Sequence, residues 1–230
     1  MTSPGNPDAP WLDHYDPGVP GTLAPYPSRT LVDYLADAAR ERPDRPAILF
    51  KGATLTWRTL DRLSDAFAAA LEALRVGRND RIALLLPNCP QFVIAQFAAW
   101  KLGAVVAPLN PTFTDRELEG PLGAHGIETI VTLTRFYARV KQLQSRTALR
   151  HIIATNIKEH FPPVLRFLFT VARERRDGDR IALAAGDHHL AHVLSTNDGR
   201  RPGRVPISPN DPAVLLMSGG TTGIPKGVRA

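Results

Sequence analysis

Apolar positions along this chain follow two spacings, one helical and one strand-like, that alternate from residue 30 onward. Leu31, Leu35, Ala38 and Ala39 recur at helical intervals behind Thr30, a suitable cap, and Pro43 closes the segment. Residues 47–50 and 54–56 read as two short strands around a Lys51-Gly52 turn. A longer helix is predicted from about residue 57 to 74, with Leu60, Leu63, Phe67, Ala70, Leu71 and Leu74 on one face. Residues 77–80 break it. Residues 81–86 are apolar on both faces, as a central parallel strand requires. Asn88 and Gln91 read as a capping pair, with Pro90 in the first turn of a helix that stops at Gly103. Residues 104–107, 130–133 and 151–154 are further strands, and Thr114 with Glu117 forms another capping box. Repeated strand–helix–strand units predict an α/β fold, a doubly wound parallel sheet flanked by helices. Ligands of such sheets lie beyond the carboxyl ends of the strands.

The most informative segment comes last. Residues 213–217 form a short apolar run that reads as a buried strand, and it feeds Ser218-Gly-Gly-Thr-Thr-Gly-Ile-Pro-Lys-Gly227. Ser218, Thr221 and Thr222 supply hydroxyl donors, and Lys226 supplies a positive charge. Gly219, Gly220, Gly223 and Gly227 let backbone N–H groups approach a bound anion. A strand followed by such a loop is a phosphate cradle. It is not the Walker type, because Pro225 precedes Lys226 and Gly227 follows it.

The segment resembles the signature loop of the adenylate-forming superfamily, which contains acyl-CoA synthetases, adenylation domains of peptide synthetases and luciferases. Gly219-Gly220 is the variant associated with long-chain fatty acyl-CoA ligases. Met217 stands where the family usually has an aromatic residue, and Ser218 where it usually has Thr. The likeness extends upstream through Leu55-Thr-Trp57, residues 80–92, residues 101–111 and residues 114–119, and more weakly to the leader at residues 11–20. It implies that Ser218, Gly219, Gly220, Thr221, Thr222, Gly223 and Lys226 hold the β- and γ-phosphates of ATP, with Lys226 as the catalytic residue. It also implies Mg2+ on the phosphates, CoA as co-substrate, and no metal ligand within this chain. Residues 1–29 read as an extended Pro/Gly-rich arm and residues 30–230 as a partial AMP-binding domain, without the family's C-terminal lid. The adenine and ribose contacts, the Mg2+-binding acid and most of the acyl pocket follow the loop in the family. The expectation is therefore a fragment of an ATP-dependent long-chain fatty acid–CoA ligase, inactive alone. The alternatives are a ligase for an aromatic acid or an amino acid, and a non-catalytic nucleotide-binding module.

Composition narrows this only slightly. The chain has 230 residues, 43% of them hydrophobic, and a net charge of +6. These values suit a globular protein of one large or two small domains. Its basic residues are spread out, densest at Arg173, Arg175, Arg176 and Arg180 and again at Arg200, Arg201 and Arg204. Both groups read as a solvated helix end and loop, and no motif supports nucleic-acid binding. Cys89 is alone, which excludes a disulfide framework within the chain and fits a reducing cytosol; it reads as a core or helix-start residue. Residues 1–27 lack the apolar region of a signal peptide, and no segment approaches the ~20 apolar residues of a membrane span. A cytoplasmic location is expected.

Two segments allow a sharper reading. Residues 161–172, followed by Arg173, Arg175 and Arg176, read preferentially as a helix packed on the sheet with a solvated basic end. The alternative is a peripheral membrane contact that helps collect a fatty acid from lipid. His188 and His192 would stand one helical turn apart. No Cys or suitably spaced carboxylate accompanies them, so a solvated His cluster is expected and no zinc.

Overall fold

Thr30 caps the first helix as its sequence suggests, and the structure adds a reciprocal partner, Asp33. Its hydroxyl accepts from Asp33 N–H at 3.2 Å while the Asp33 carboxylate accepts from Thr30 N–H at 2.8 Å, and α1 (Leu31–Glu41) follows. The structure is a computed structural model that describes residues 9–218 and 226–229, with only the backbone described for Ser218 and for 226–229. Leu35 is the buried residue of α1, whereas Leu31 is 47% exposed. Strands β1 (Pro46–Phe50) and β2 (Ala53–Thr56) pair antiparallel around Lys51 and Gly52. Both turn residues have positive φ, 51° and 87°, as a tight two-residue hairpin turn demands. Thr56 then caps α2 (Trp57–Ala73), which buries Leu60, Phe67 and Leu71.

The central sheet follows from strands that are apolar on both sides. In chain order its elements are β3 (Arg81–Leu85), α3 (Pro90–Lys101), β4 (Val105–Pro108), α4 (Asp115–Ala124), β5 (Thr129–Leu133), α5 (Tyr137–Gln144), β6 (His151–Thr155), α6 (Pro163–Ala172), β7 (His188–His189) and α7 (Leu190–Thr196). The strand order is β4-β3-β5-β6-β7, and every pairing is parallel. Side chains alternate across β3. Ile82 and Leu84 pack with Phe67, Leu71 and Ile94 on one face, and Ala83 and Leu85 with Leu118, Leu122 and Val140 on the other. Two covered faces make this the doubly wound sheet that the sequence pattern predicts.

Several local expectations are corrected. The N-cap of α3 is Cys89, with no side-chain capping bond, so Asn88 and Gln91 do not form a capping pair. Gln91 is instead fully buried, and its Nε2 donates to Asn156 O at 2.9 Å, which ties the start of α3 to the end of β6. The Thr114–Glu117 box is present as expected. Helix α6 has no buried residue and is not packed on the sheet. It rests instead on Phe161, which touches Phe169 edge-on with ring centroids 5.6 Å apart and Phe50 at 5.9 Å. His188 lies in β7 and helix α7 begins at Leu190, so His188 and His192 are not one helical turn apart. No helix among the described residues is long and apolar enough to cross a membrane.

Candidate phosphate-loop site

The terminal strand is carried to the sheet by residues far ahead of it in sequence. Arg78 grips the incoming segment: its Nη2 donates to both carboxylate oxygens of Asp211 at 2.8 and 2.9 Å, and its Nη1 donates to Pro206 O at 2.7 Å. Asp211 also accepts from Ser208 N–H at 2.9 Å, which closes the turn before the strand. Ala213 O then receives two donors, the Trp100 indole at 2.8 Å and Val106 N–H at 3.0 Å. A cavity of about 230 Å³ lies under this anchor, lined by Thr30, Trp100, Gly103, Ile207 and Ala213 among others. The register continues as one parallel bridge, Val106 with Val214. Strand β8 (Leu215–Ser218) therefore runs alongside β4 toward the carboxyl end of the sheet.

This refines the expectation of a buried strand. Leu215 is buried in the core on the Ala83–Leu85 face of the sheet, but Leu216 is 50% exposed, because β8 hangs on the edge of β4. Its ladder partner is β9 (Lys226–Arg229), antiparallel, with Ser218 opposite Lys226 and Met217 opposite Gly227. The two ends of the expected phosphate loop are thus brought together as backbone neighbours at the carboxyl end of the sheet. Gly219, Gly220, Thr221, Thr222 and Gly223 lie outside the described residues.

A second polar cluster sits at the carboxyl ends of β3 and β6, and the sequence pattern did not point to it. Glu159 accepts from Thr155 Oγ1 at 2.6 Å and from Asn156 N–H at 2.8 Å. Burial nevertheless raises the Glu159 carboxyl above its usual range, outweighing those two bonds. Burial likewise lowers His160 to about 4, with Arg166 adding repulsion. The Asn156 amide spans Glu174 Oε1 at 3.1 Å and Asp179 O at 3.3 Å. The one available signal was a Thr155-Asn156 pair directly after an apolar strand. Cys89, beside this cluster, is buried and its thiol is pushed up to about 11 by burial. It is un-ionised at neutral pH and is no candidate nucleophile, as its sequence context suggested.

The chain belongs to the AMP-binding enzyme family, whose sequence profile matches residues 35–229. Within the family, the chain is 33% identical over 222 residues to the long-chain-fatty-acid–CoA ligase of Bacillus subtilis strain 168, covering 95% of this chain and 39% of that protein. It is also 34% identical over 200 residues to 4-coumarate–CoA ligase 2 of rice, Oryza sativa subsp. japonica, covering 86% of this chain and 33% of that one. Among solved structures, the anthranilate CoA ligase AuaEII in complex with anthranoyl-AMP superposes with a TM-score of 0.73 at 19% identity, over 89% of this chain and 35% of that one. The chain thus spans well under half the length of the relatives it matches.

Proposed function

We propose that this chain forms the N-terminal part of an ATP-dependent acid–CoA ligase acting on long-chain fatty acids. The observation that carries the reading is the pairing of Ser218 with Lys226, which brings the two ends of the Gly/Thr-rich segment together beyond the carboxyl end of β4. The likeness over 95% of the chain to a bacterial long-chain ligase supports the acid class. Residues 30–230 would be the partial AMP-binding domain and residues 1–29 an arm; the acyl pocket and the lid would come from the remainder of the relatives' length.

The reaction has two balanced steps. A fatty acid carboxylate attacks the α-phosphorus of ATP, an oxygen–phosphorus bond forms, and the bond to the β-phosphate breaks to release pyrophosphate. The CoA sulfur then attacks the acyl carbon, the bond to AMP breaks, and the thiol proton passes to solvent. In the first step negative charge builds on the departing pyrophosphate. The hydroxyls of Ser218, Thr221 and Thr222, the amides around Gly219, Gly220 and Gly223, and the Lys226 ammonium are the groups suited to receive it. Mg2+ would arrive with ATP as a counter-ion to its phosphates. Among the described residues no group of three or more His, Cys, Asp or Glu stands ready to hold a metal.

Titration of ATP onto the chain, with Lys226→Ala as control, tests the loop. Binding that weakens about tenfold or more in the variant is expected, since a charge-assisted phosphate contact is worth roughly 1.5–3 kcal/mol. Equal affinity would remove Lys226 from the site. Fatty-acid-dependent ATP–pyrophosphate exchange should be absent from residues 1–230, and robust exchange would refute the partial-domain reading. The rice relative favours a second reading, a ligase for an aromatic acid. In a protein carrying the full relative length, exchange driven by 4-coumarate but not by a long-chain fatty acid would establish it.

A further inference from the structure

Helix α6 carries its apolar stripe on the wrong side for a globular protein. Val164, Phe167, Leu168 and Val171 follow the i, i+3, i+4, i+7 spacing of a core-facing helix. They are nevertheless 73, 66, 55 and 72% exposed. The helix is fastened to the protein by its other side. Phe169 packs edge-on against Phe161, and Lys158 Nζ donates to Thr170 Oγ1 at 2.8 Å. Four exposed apolar side chains gathered on one helix face mark a binding surface.

Charge selects the occupant. Residues 163–180 contain Arg166, Arg173, Arg175, Arg176 and Arg180, all exposed, against Glu174, Asp177 and Asp179. Two of those acids are answered from outside the segment, Glu174 by Lys158 at 2.7 Å and Asp179, fully buried in its side chain, by Arg135 at 2.7 Å. Asp177 lies at the limit of contact, 4.0 Å from Arg173 and 3.9 Å from Arg176. What faces solvent is an apolar stripe continued by a positive end. That combination matches a bilayer surface with anionic headgroups, apolar side chains entering the acyl boundary and guanidinium groups staying at the phosphates.

We propose that α6 and the arginines that follow it form a docking surface for anionic membrane lipid. The inference stands on this face itself and not on the ligase reading, although delivery of a lipid-dissolved acid would be its natural use. The test is co-sedimentation of the chain with vesicles of phosphatidylcholine, with and without phosphatidylglycerol. Binding to the anionic vesicles is expected, weakening about tenfold for Phe167→Ser and again for Leu168→Ser. It should also weaken about tenfold for the double variant Arg175→Glu/Arg176→Glu, and fall as salt rises from about 0.05 M to about 0.5 M. The melting temperature of each variant is measured alongside; these residues are exposed, so it should stay within about 2 °C of the parent. Lys226→Ala should bind vesicles like the parent, which separates this surface from the phosphate loop. Absence of binding to anionic vesicles at low salt overturns the proposal. So does binding that Phe167→Ser and the arginine variant leave unchanged. A concentration-dependent dimer that Phe167→Ser dissolves would assign the face to a second copy, and vesicle binding lost in a protein of full relative length would assign it to further chain.

Discussion

Replacing Gln91 with Met should cost this protein almost nothing, although Gln91 is fully buried and hydrogen-bonded. Its Nε2 donates to Asn156 O at 2.9 Å, while its Oε1 has no partner among the described residues. The two halves of the amide therefore pull in opposite directions. Removing the donor loses one net hydrogen bond, roughly 1 kcal/mol. Asn156 O is not orphaned by the loss, because Glu159 N–H also donates to it at 3.0 Å. Removing the unpaired oxygen relieves a desolvation cost of roughly 1–3 kcal/mol. Met has a similar length and adapts to irregular space, so no cavity is added. The sum is about zero to 2 kcal/mol of stabilisation. Gln91→Ala lacks the replacement volume and should destabilise by roughly 2–4 kcal/mol, as other large-to-small core changes do. Urea denaturation of the parent and both variants, followed by far-UV circular dichroism, separates the cases. A loss above about 2 kcal/mol for Gln91→Met would refute the reasoning, because it would mean that Oε1 accepts from something essential.

Acid sensitivity should arise in part from His160. Its folded value of about 4 lies below its unfolded value of 6.5, so between those limits the unfolded chain binds the extra proton. Stability due to the neutral ring is present above about pH 6.5 and lost as pH falls to about 4; Glu159, shifted upward, works in the opposite sense at the acid end. The pH–stability curves of the parent and of His160→Asn should converge in slope above pH 6.5 and diverge below it, and parallel curves throughout would exclude the ring. Arg78→Met should cost about 0.5–1 kcal/mol in global stability, since the Arg78–Asp211 pair is only partly shielded from solvent. Its larger effect should be a rise in hydrogen exchange over residues 206–216, measured by mass spectrometry, and unchanged exchange there would show that the Trp100 and Val106 bonds hold the strand without Arg78.

The sheet was legible because its strands are short apolar runs separated by caps and glycines, all local signals. The Thr30 and Thr114 caps read correctly because the groups they serve lie within one helical turn, although the reciprocal Asp33 at the first cap comes from the structure. Gln91 misled for the same local reason. Its place three residues after Asn88 suggests a cap, but the partner that claims it is Asn156, 65 positions away. Helix α6 misled differently. An apolar stripe predicts that a face is covered, and in a helix joined to the body through Phe161 and Lys158 the covered face is the other one. His188 failed on a boundary: the helical spacing to His192 is real only if the helix includes both, and it starts at Leu190.

The phosphate segment combines both situations. The chemistry proposed for it is read from ten consecutive residues, whereas the placement of its ends is not, since the sheet's topological switch lies between β3 and β5 and the β8–β9 pair sits instead beyond β4 at the sheet's edge. One bridge cannot hold a strand there, because a single ladder contact gives little cooperativity. The attachment is completed by Trp100 and Val106 converging on Ala213 O and by Arg78 on Asp211. Each of those donors comes from the turn before β3, from α3 or from β4, elements built before residue 110. The first part of the chain therefore acts as a platform with prepared donors, and the position of β8 is fixed by groups that carry no phosphate chemistry of their own. It follows that substitutions at Arg78 or Trp100 should alter nucleotide affinity through geometry while leaving every proposed phosphate contact in the sequence intact.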